Sequence, residues 1–505
     1  MIKRVTLSVS GILVAVLLLL YAVGKGWLGQ PWSPEPVAAG PGPRPALLVT
    51  SPSPAGVQTI LFGDLHTHTN YSIDAYLFNT ALVKGGGVVT PADACDFARY
   101  CAALDFWSIN DHAEGLTPRA WEDTLDTVRA CNAQAGDAAL PDMVSFAGWE
   151  WTNGSKDNVP SHYGHKNVLF RTWEEGQVPA RPIAARPTNL MSRVPPLLLG
   201  VMGLFEGLFD ASDLAWYLDE SRHTPICDNK TPSPELPDNC LEVAQTPSDL
   251  FRKLDEWGLD SLVIPHGLSW GNTNPQTGDF RTQLDEHEQR YQKLLEVYSG
   301  HGSSELFEDF TRVATSSSGD LECPEATANF TPCCRQAGKI TRNRCATPDS
   351  VVCEEQVASA MQQFVSKGFP RGRKLLTGTT LDDWEGCGQL RNSFQPASEY
   401  VPRLSAQYNL ALGFDESGQP KRARLGLIGS SDGHQARPGS SYKESNRLLY
   451  TDHKDLGRKW LRTDLLKADR ESSGFYYTGG LVAAHSQGRN RDAIWNALDS
   501  RNVYA

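Results

Sequence analysis

The chain has 505 residues, with 47 basic and 59 acidic side chains and a formal net charge of -12. That length accommodates one large domain with insertions or about two to three domains, and the acidic balance argues against broad binding to a nucleic acid backbone, which needs a basic footprint. A small phosphorylated substrate is not excluded, because bound divalent ions reverse the local sign inside an acidic protein.

At the N-terminus, Lys3 and Arg4 precede an apolar run of 19 residues, Val5 to Val23, that carries no charge. Such a run is long enough to span a hydrocarbon core. A secretory signal usually has a shorter apolar stretch and a small-x-small cleavage site, whereas this one leads into Gly24-Lys25-Gly26-Trp27. Residues 1–24 are therefore expected to be an uncleaved transmembrane anchor, with a cleaved signal as the alternative. The basic pair stays in the cytoplasm. The remainder would face the periplasm from the inner membrane, or be secreted after cleavage. Gln30 to Ala55 is rich in Pro, Ala and Gly without periodicity, so residues 25–57 read as a flexible or polyproline-like linker. Residues 58–505 would form the catalytic part.

From Ile60 the pattern changes to short apolar runs that stop at residues able to bind a metal or a proton. Ile60 to Leu65 ends at His66-Thr67-His68, and in an extended segment that spacing points both imidazoles to one side. Asp74 follows closely enough to curl back toward a neighbouring ion. Leu104 to Ile109 ends at Asn110-Asp111-His112, Met143 to Trp149 at Glu150, and Ser261 to Pro265 at His266. Lys166 to Phe170 is preceded, not followed, by His162 and His165. Leu294 to Tyr298 contains Glu296 and is followed by His301, and Leu425 to Ile428 leads into Gly429-Ser430-Ser431-Asp432-Gly433-His434. Helical patterns lie between, over Pro91 to Tyr100, Pro118 to Gln134, Pro247 to Trp257 and Phe280 to Lys293. Strands alternating with helices predict an α/β fold with a parallel sheet, and polar ligands at strand ends predict a barrel mouth. Any one of these histidines alone is more commonly a hydrogen-bonded core or surface residue. A shared ending on most of the runs is not explained that way, and the pooled His and carboxylate groups suit about two to three Zn, Mn or Fe ions.

Two insertions interrupt the pattern, at about 176–247 and 319–387. The first contains the apolar Val194 to Phe209, whose single charge is Glu206; it reads first as buried packing, then as a lid or a membrane-touching element. Trp149, Trp151, Trp173 and Trp270 lie near the predicted rim, to stack on a substrate or, more commonly, to fill the core. Of 11 cysteines, six fall between Cys323 and Cys387. Disulfide stapling of an insertion without its own core is favoured over a zinc knuckle. Cys227 and Cys240 read as a further pair, and the odd total leaves at least one cysteine free or paired between chains.

The segments Gly63-Asp64-Leu65-His66-Thr67-His68, Gly164-His165-Lys166-Asn167-Val168 and Ser431-Asp432-Gly433-His434 resemble the PHP superfamily, the polymerase and histidinol phosphatase group of metal-dependent phosphoesterases. The resemblance runs from about Ile60 to the end. It implies a distorted (β/α)7 TIM-like barrel with up to three metals at the strand C-termini. Position by position, it implies His66, His68, Glu150 and Asp432 around one ion, Glu150 bridging to a second held by His165 and His266, and Asp74, His112 and His434 at a third. His165 is preferred over His162 because Gly164-His165-Lys166-Asn167 matches the family wording better. Asp74 stands where other members often carry histidine, which shifts that site toward oxygen-preferring metals. Related chains continue past the helical pattern of Arg491 to Leu498 into another strand, so a truncated C-terminus is implied.

The expected function is hydrolysis of a phosphoester on a small-molecule substrate, with a hydroxide shared by two divalent ions attacking phosphorus in line. Catalytic candidates are Glu150 as the bridge and His301 or Asp111, or else a metal-bound water, as the proton donor; Arg437 is a candidate phosphate contact. The alternatives are a metal-dependent amide or carboxylic-ester hydrolase, and a noncatalytic binding module stabilised by metal. Oligomeric state is open.

Overall fold

The computed structural model describes residues 2–30, 37, 58–79, 87, 89–154, 162–187, 194–206, 208–268, 278–303, 305, 313–367, 376–379, 381–384, 387, 402–419, 421–441 and 478–505. Trp270 lies outside them. All seven predicted runs are strands: β1 (Thr59–Asp64), β2 (Phe106–Ser108), β3 (Val144–Asn153) and β4 (Gly164–Phe170), then, after the short pair β5 (Ile183–Ala184) and β6 (Glu242–Val243), β7 (Ser261–His266), β8 (Leu294–Ser299) and, beyond β9 (Gly302–Ser303), β10 (Ala314–Thr315) and β11 (Leu321–Glu322), β12 (Gly426–Gly429). The last two strands are β13 (Val482–Ser486) and β14 (Val503–Tyr504).

These strands do not close into the expected parallel barrel. The main sheet has seven strands in the order β14-β13-β1-β2-β3-β4-β7 and curls into a half-barrel, while β12-β8-β9 form a separate three-stranded sheet. The pairings β1–β2 and β2–β3 are parallel, but β4 is antiparallel to both β3 and β7. The sequence carried the reason: β4 bears its histidines before its apolar run, and only a reversed strand brings them to the edge where β3 and β7 end. Reversal places His165 opposite Thr152 on β3 and opposite His266 on β7. β8 and β12 pair in parallel, which carries Asp432 to the same end.

Alternation along the strands separates two cores. Trp107, Ala147, Trp149, Val168 and Val263 face the helical layer, whereas Phe106, Phe146, Leu169, Leu262 and Ile264 fill the concave side with Leu294, Ile428 and Trp495. The helices that cover the first face start where local chemistry tells them to. Helix α4 (Pro118–Ala133), which follows α1 (Ile2–Gly24), α2 (Ile73–Asn79) and α3 (Pro91–Asp96), has Thr117 accepting from Ala120 N and proline in its first turn. Trp149 and Trp151 are fully buried, so they are core residues and no platform for a substrate. Trp173 lies beneath the Arg491 guanidinium, 3.9 Å from its ring centre.

Helices α5 (Pro196–Glu206) and α6 (Leu208–His223) come from the first insertion, and α7 (Pro247–Trp257) follows it. Helix α1 packs its last turns against α5 and α6, burying Leu20 and Val23. Among the described residues, no helix is long and apolar enough to cross a membrane. The expected free anchor is a helix packed against the chain's own helices. Buried packing, the first reading of Val194 to Phe209, holds only in part: Leu199 is buried, while Leu197, Leu198, Val201 and Leu204 are exposed.

Five disulfides join Cys95–Cys131, Cys227–Cys240, Cys323–Cys334, Cys333–Cys387 and Cys345–Cys353, leaving Cys101 as the free thiol. Stapling rather than a zinc knuckle is thus the fate of the cysteine-rich insertion, and five disulfides mark an extracellular or oxidising compartment. The Cys95–Cys131 bond ties α3 to α4 across 36 residues. Replacing both cysteines by alanine is expected to lower unfolding free energy by about 2–4 kcal/mol, measured by urea denaturation under non-reducing conditions.

Candidate metal centre

The site is assembled at the ends of β1, β3, β7 and β12 and the start of β4. Backbone contacts knit its two most distant segments together. His68 N donates to Gly433 O (2.9 Å), Asp432 N to His66 O (3.0 Å), and Thr67 bridges Gly433 in parallel. Asp432 takes a left-handed φ of 51°, a conformation that non-glycine residues hold only where surroundings impose it. Asp64 clasps the same junction, its carboxylate accepting from Ser431 N (3.0 Å) and Gly439 N (2.6 Å). Burial pushes the Asp64 carboxyl up to about 6 against these hydrogen bonds.

Four ligand-type atoms converge at the floor. His66 Nε2 and His68 Nε2 are 3.2 Å apart, each is 3.3 Å from Glu150 Oε2, and each is 3.4 Å from Asp432 Oδ1. Donors that sit about 2.0–2.1 Å from one tetrahedral ion lie about 3.3–3.4 Å from one another. The two imidazole nitrogens are thus spaced from either carboxylate oxygen as donors on one tetrahedral ion are.

Hydrogen bonding on the far side of each ring fixes which nitrogens carry lone pairs. His66 Nδ1 donates to Glu296 Oε2 (2.9 Å). Ser72 Oγ donates to Asp111 Oδ1 (2.8 Å), so it accepts from His68 Nδ1 (2.9 Å) and from His112 N (3.0 Å). Both Nε2 atoms therefore aim lone pairs at two carboxylate oxygens, an arrangement that repels unless a cation sits among them. Burial opposes protonation of His66, but Asp432, Glu296 and Glu150 outweigh it and hold the ring well above the ordinary imidazole range. Protons and metal ions thus compete for the same lone pairs. Metal affinity is expected to fall as pH is lowered, beginning above the usual histidine range, which chelator competition between about pH 6 and pH 9 measures.

Glu150 divides its oxygens between two donor sets. Oε2 faces His66 and His68, while Oε1 lies 2.8 Å from His165 Nδ1, 3.3 Å from His112 Nδ1 and 3.6 Å from His266 Nε2. Burial would raise its carboxyl, but His112, His165 and His266 hold it well below the carboxylate range. A third set lies beside them: Asp74 Oδ2 is 2.9 Å from His112 Nε2 and 3.5 Å from His434 Nε2. Every predicted metal residue joins one of these sets. His162 is buried nearby, but His165 is the one against Glu150.

The floor is dry and the mouth is not. His66, His68 and Glu150 side chains are at most 1% exposed, whereas His112, His165 and Asp74 reach 16%, 24% and 37%. Solvent reaches the second and third sets and not the first.

The predicted proton donors divide. His301 lies 4.8 Å from the His434 ring and forms a metal-competent group with Asp432 and His434. Asp111 is buried with both oxygens taken, accepting from Thr69 N, Thr69 Oγ1 and Ser72 Oγ. That geometry makes it a support for the His68 loop rather than a proton donor. Arg437 is half-buried in the turn after His434, its carbonyl accepting from Ser440 N.

Sequence reading assigned no role to Glu296, Asp64, Ser72 or Thr152, whose hydroxyl donates to Glu150 Oε1 (2.9 Å). Glu296 did leave a signal, as a charge in the middle of the apolar run Leu294 to Tyr298. Glu296→Gln is expected to weaken metal affinity about 10–100-fold with an unchanged far-ultraviolet spectrum, measured by metal titration.

Among comparisons with known proteins, the family DUF3604, described as a protein of unknown function, matches residues 55–118 and 392–505. Those stretches contain the His66/His68 and Asp432/His434 segments. No curated protein matches. A solved structure from Bacteroides vulgatus, described as a two-domain protein containing a predicted PHP-like metal-dependent phosphoesterase, is similar at 12% identity and a TM-score of 0.34, over 90% of this chain and 68% of that one.

Proposed function

We propose that the chain is a metal-dependent hydrolase of phosphoesters, acting on a small phosphorylated molecule. The observation that carries this reading is the convergence of the His66 and His68 Nε2 atoms on Glu150 and Asp432 together with the division of Glu150 between two donor sets. The motif resemblance to PHP phosphoesterases supports the choice of bond. Divalent ions, two or three of Zn, Mn or Fe, would supply Lewis acidity and a water acidic near neutral pH.

The chain's own residues do the rest. Glu150 holds two donor sets in register, Glu296 and Ser72 fix the tautomers of His66 and His68, and Thr152 orients Glu150 through Oε1. Asp74 and His112, at the partly exposed edge, border the approach of the ester. His301, whose ring lies 4.8 Å from that of His434, and Arg437, three residues after His434, are our candidates for protonating the leaving group and holding the phosphoryl oxygens.

The test is elemental analysis of the purified full-length chain, with p-nitrophenyl phosphate and bis-p-nitrophenyl phosphate turnover on the same sample. About two to three ions per chain, with turnover lost on chelation and restored by metal, is the expected result. Bound metal with turnover of amide or carboxylic esters instead would replace the phosphoester reading.

A further inference from the structure

We infer that α1 and α5 together enter the apolar layer of a lipid bilayer, so that α5 as well as α1 holds the metal centre beside a membrane surface. This inference stands on the surface of these two helices and does not rest on the reaction proposed above.

Among the described residues, 14 of the 23 exposed large apolar side chains lie on α1, on α5 or in the turn after α1. They are not one stripe. Every residue from Ser10 to Leu19 is exposed, and at 100° per residue that run covers the whole circumference of α1. A helix that is apolar all round needs an apolar surrounding on every side. A second protein chain would cover one face of it; lipid covers all of them.

Helix α5 shares that environment because it is fixed to the last turns of α1. Gly24 lies against the Pro196 backbone and Gly200 against the Leu20 backbone, so neither site has room for a side chain. Small residues that let two backbones touch are how helices associate where no hydrophobic effect drives them together. Leu198 and Leu204, 53% and 59% exposed, face away from that contact. At 11 residues, α5 is about 16 Å long and reaches only part of the way through a hydrocarbon core.

The polar boundary falls where the helices end. Trp27 packs edge-on to Tyr21, Lys25 pairs with Asp219 of α6, and Gln30 N donates to Asp213. Aromatic rings followed by charge are the signature of a headgroup level. From there the contact runs to the metal centre. Leu214 and Leu218 of α6 share a cluster with Tyr76 of α2, the helix that carries Asp74, and Tyr217 Oη donates to Tyr71 O (3.2 Å).

The test uses the full chain with Cys101→Ser, reconstituted into vesicles of phosphatidylethanolamine and phosphatidylglycerol, carrying a nitroxide at Leu198→Cys, Leu204→Cys or, as the aqueous reference, Phe414→Cys. Collision with dissolved oxygen and with a water-soluble nickel chelate is read for each. Labels at 198 and 204 are expected to keep contact with oxygen and lose contact with nickel, while the label at 414 keeps contact with nickel. Nickel contact at 198 and 204 equal to that at 414 would overturn the inference. So would shielding from both reagents with spin–spin broadening between copies, which would identify a second chain as the occupant.

Discussion

Glu150→Gln is expected to strip the chain of its bound metal and of turnover while leaving it folded. The carboxylate meets five imidazoles through its two oxygens, Oε2 toward His66 and His68 and Oε1 toward His112, His165 and His266. An amide presents one neutral acceptor and one donor. Whichever way it turns, it aims an N–H at a set that needs a lone pair, and it removes the negative charge that both sets share. The effect should exceed the roughly 10–100-fold typical of residues one shell further out, and both donor sets should weaken together. Metal content by elemental analysis and turnover on the same sample check this. Loss of only one ion, with the other retained at wild-type affinity, would mean that the two sets do not share Glu150. Far-ultraviolet and thermal measurements on the variant separate loss of metal from loss of fold.

The second large effect is on stability, far from the chemistry. Glu242→Ala is expected to lower unfolding free energy by about 3–5 kcal/mol. Glu242 is fully buried, with Lys253 Nζ 2.8 Å from Oε1 and Arg181 Nε 3.2 Å from Oε2, an ion pair lacking hydrogen-bond alignment. Arg181 and Lys253 are themselves about 1% exposed. Removing the one buried carboxylate leaves two buried cations without their shared anion, Arg181 keeping only the exposed Asp238 at 3.5 Å. Backbone carbonyls of Pro237 and Leu236 hold part of the Arg181 guanidinium, which limits the loss there. Urea denaturation measures the change. Replacing all three residues together, as Arg181→Met, Glu242→Leu and Lys253→Met, should recover most of it, because it removes the uncompensated charge instead of creating one. A triple variant as unstable as the single one would assign the loss to packing.

How much of this was legible from residues alone differs by element. The strand runs were visible because each combines apolar residues with a sharp polar end, and all seven are strands within a few residues of the predicted bounds. The Phe280 to Lys293 helix was not: only Arg281–Asp285 is helical, followed by turns. His287, Glu288 and Gln292 hydrogen-bond one another there instead, a local competition that apolar spacing does not register. Strand direction was also missed. Side-chain alternation has the same period whichever way a strand runs, so the reversal of β4 was marked only by its histidines preceding the apolar run.

The sequence by itself named the candidate metal ligands. His and carboxylate residues at or beside the runs, two of them in a His-x-His spacing, are the residues that the three donor sets contain. Cysteine density likewise announced disulfides. Tertiary structure alone decided which lone pair faces which neighbour, because tautomers are set by Glu296 and by Ser72 with Asp111, contacts that join residues up to 230 positions apart. It also decided that the sheet stays a half-barrel, since closure depends on hydrogen bonds between sheets and not on any strand's own pattern. The place of the first apolar run was decided the same way. Hydropathy reports how much surface a helix must hide; only the glycine contacts between α1 and α5 show what it is packed against.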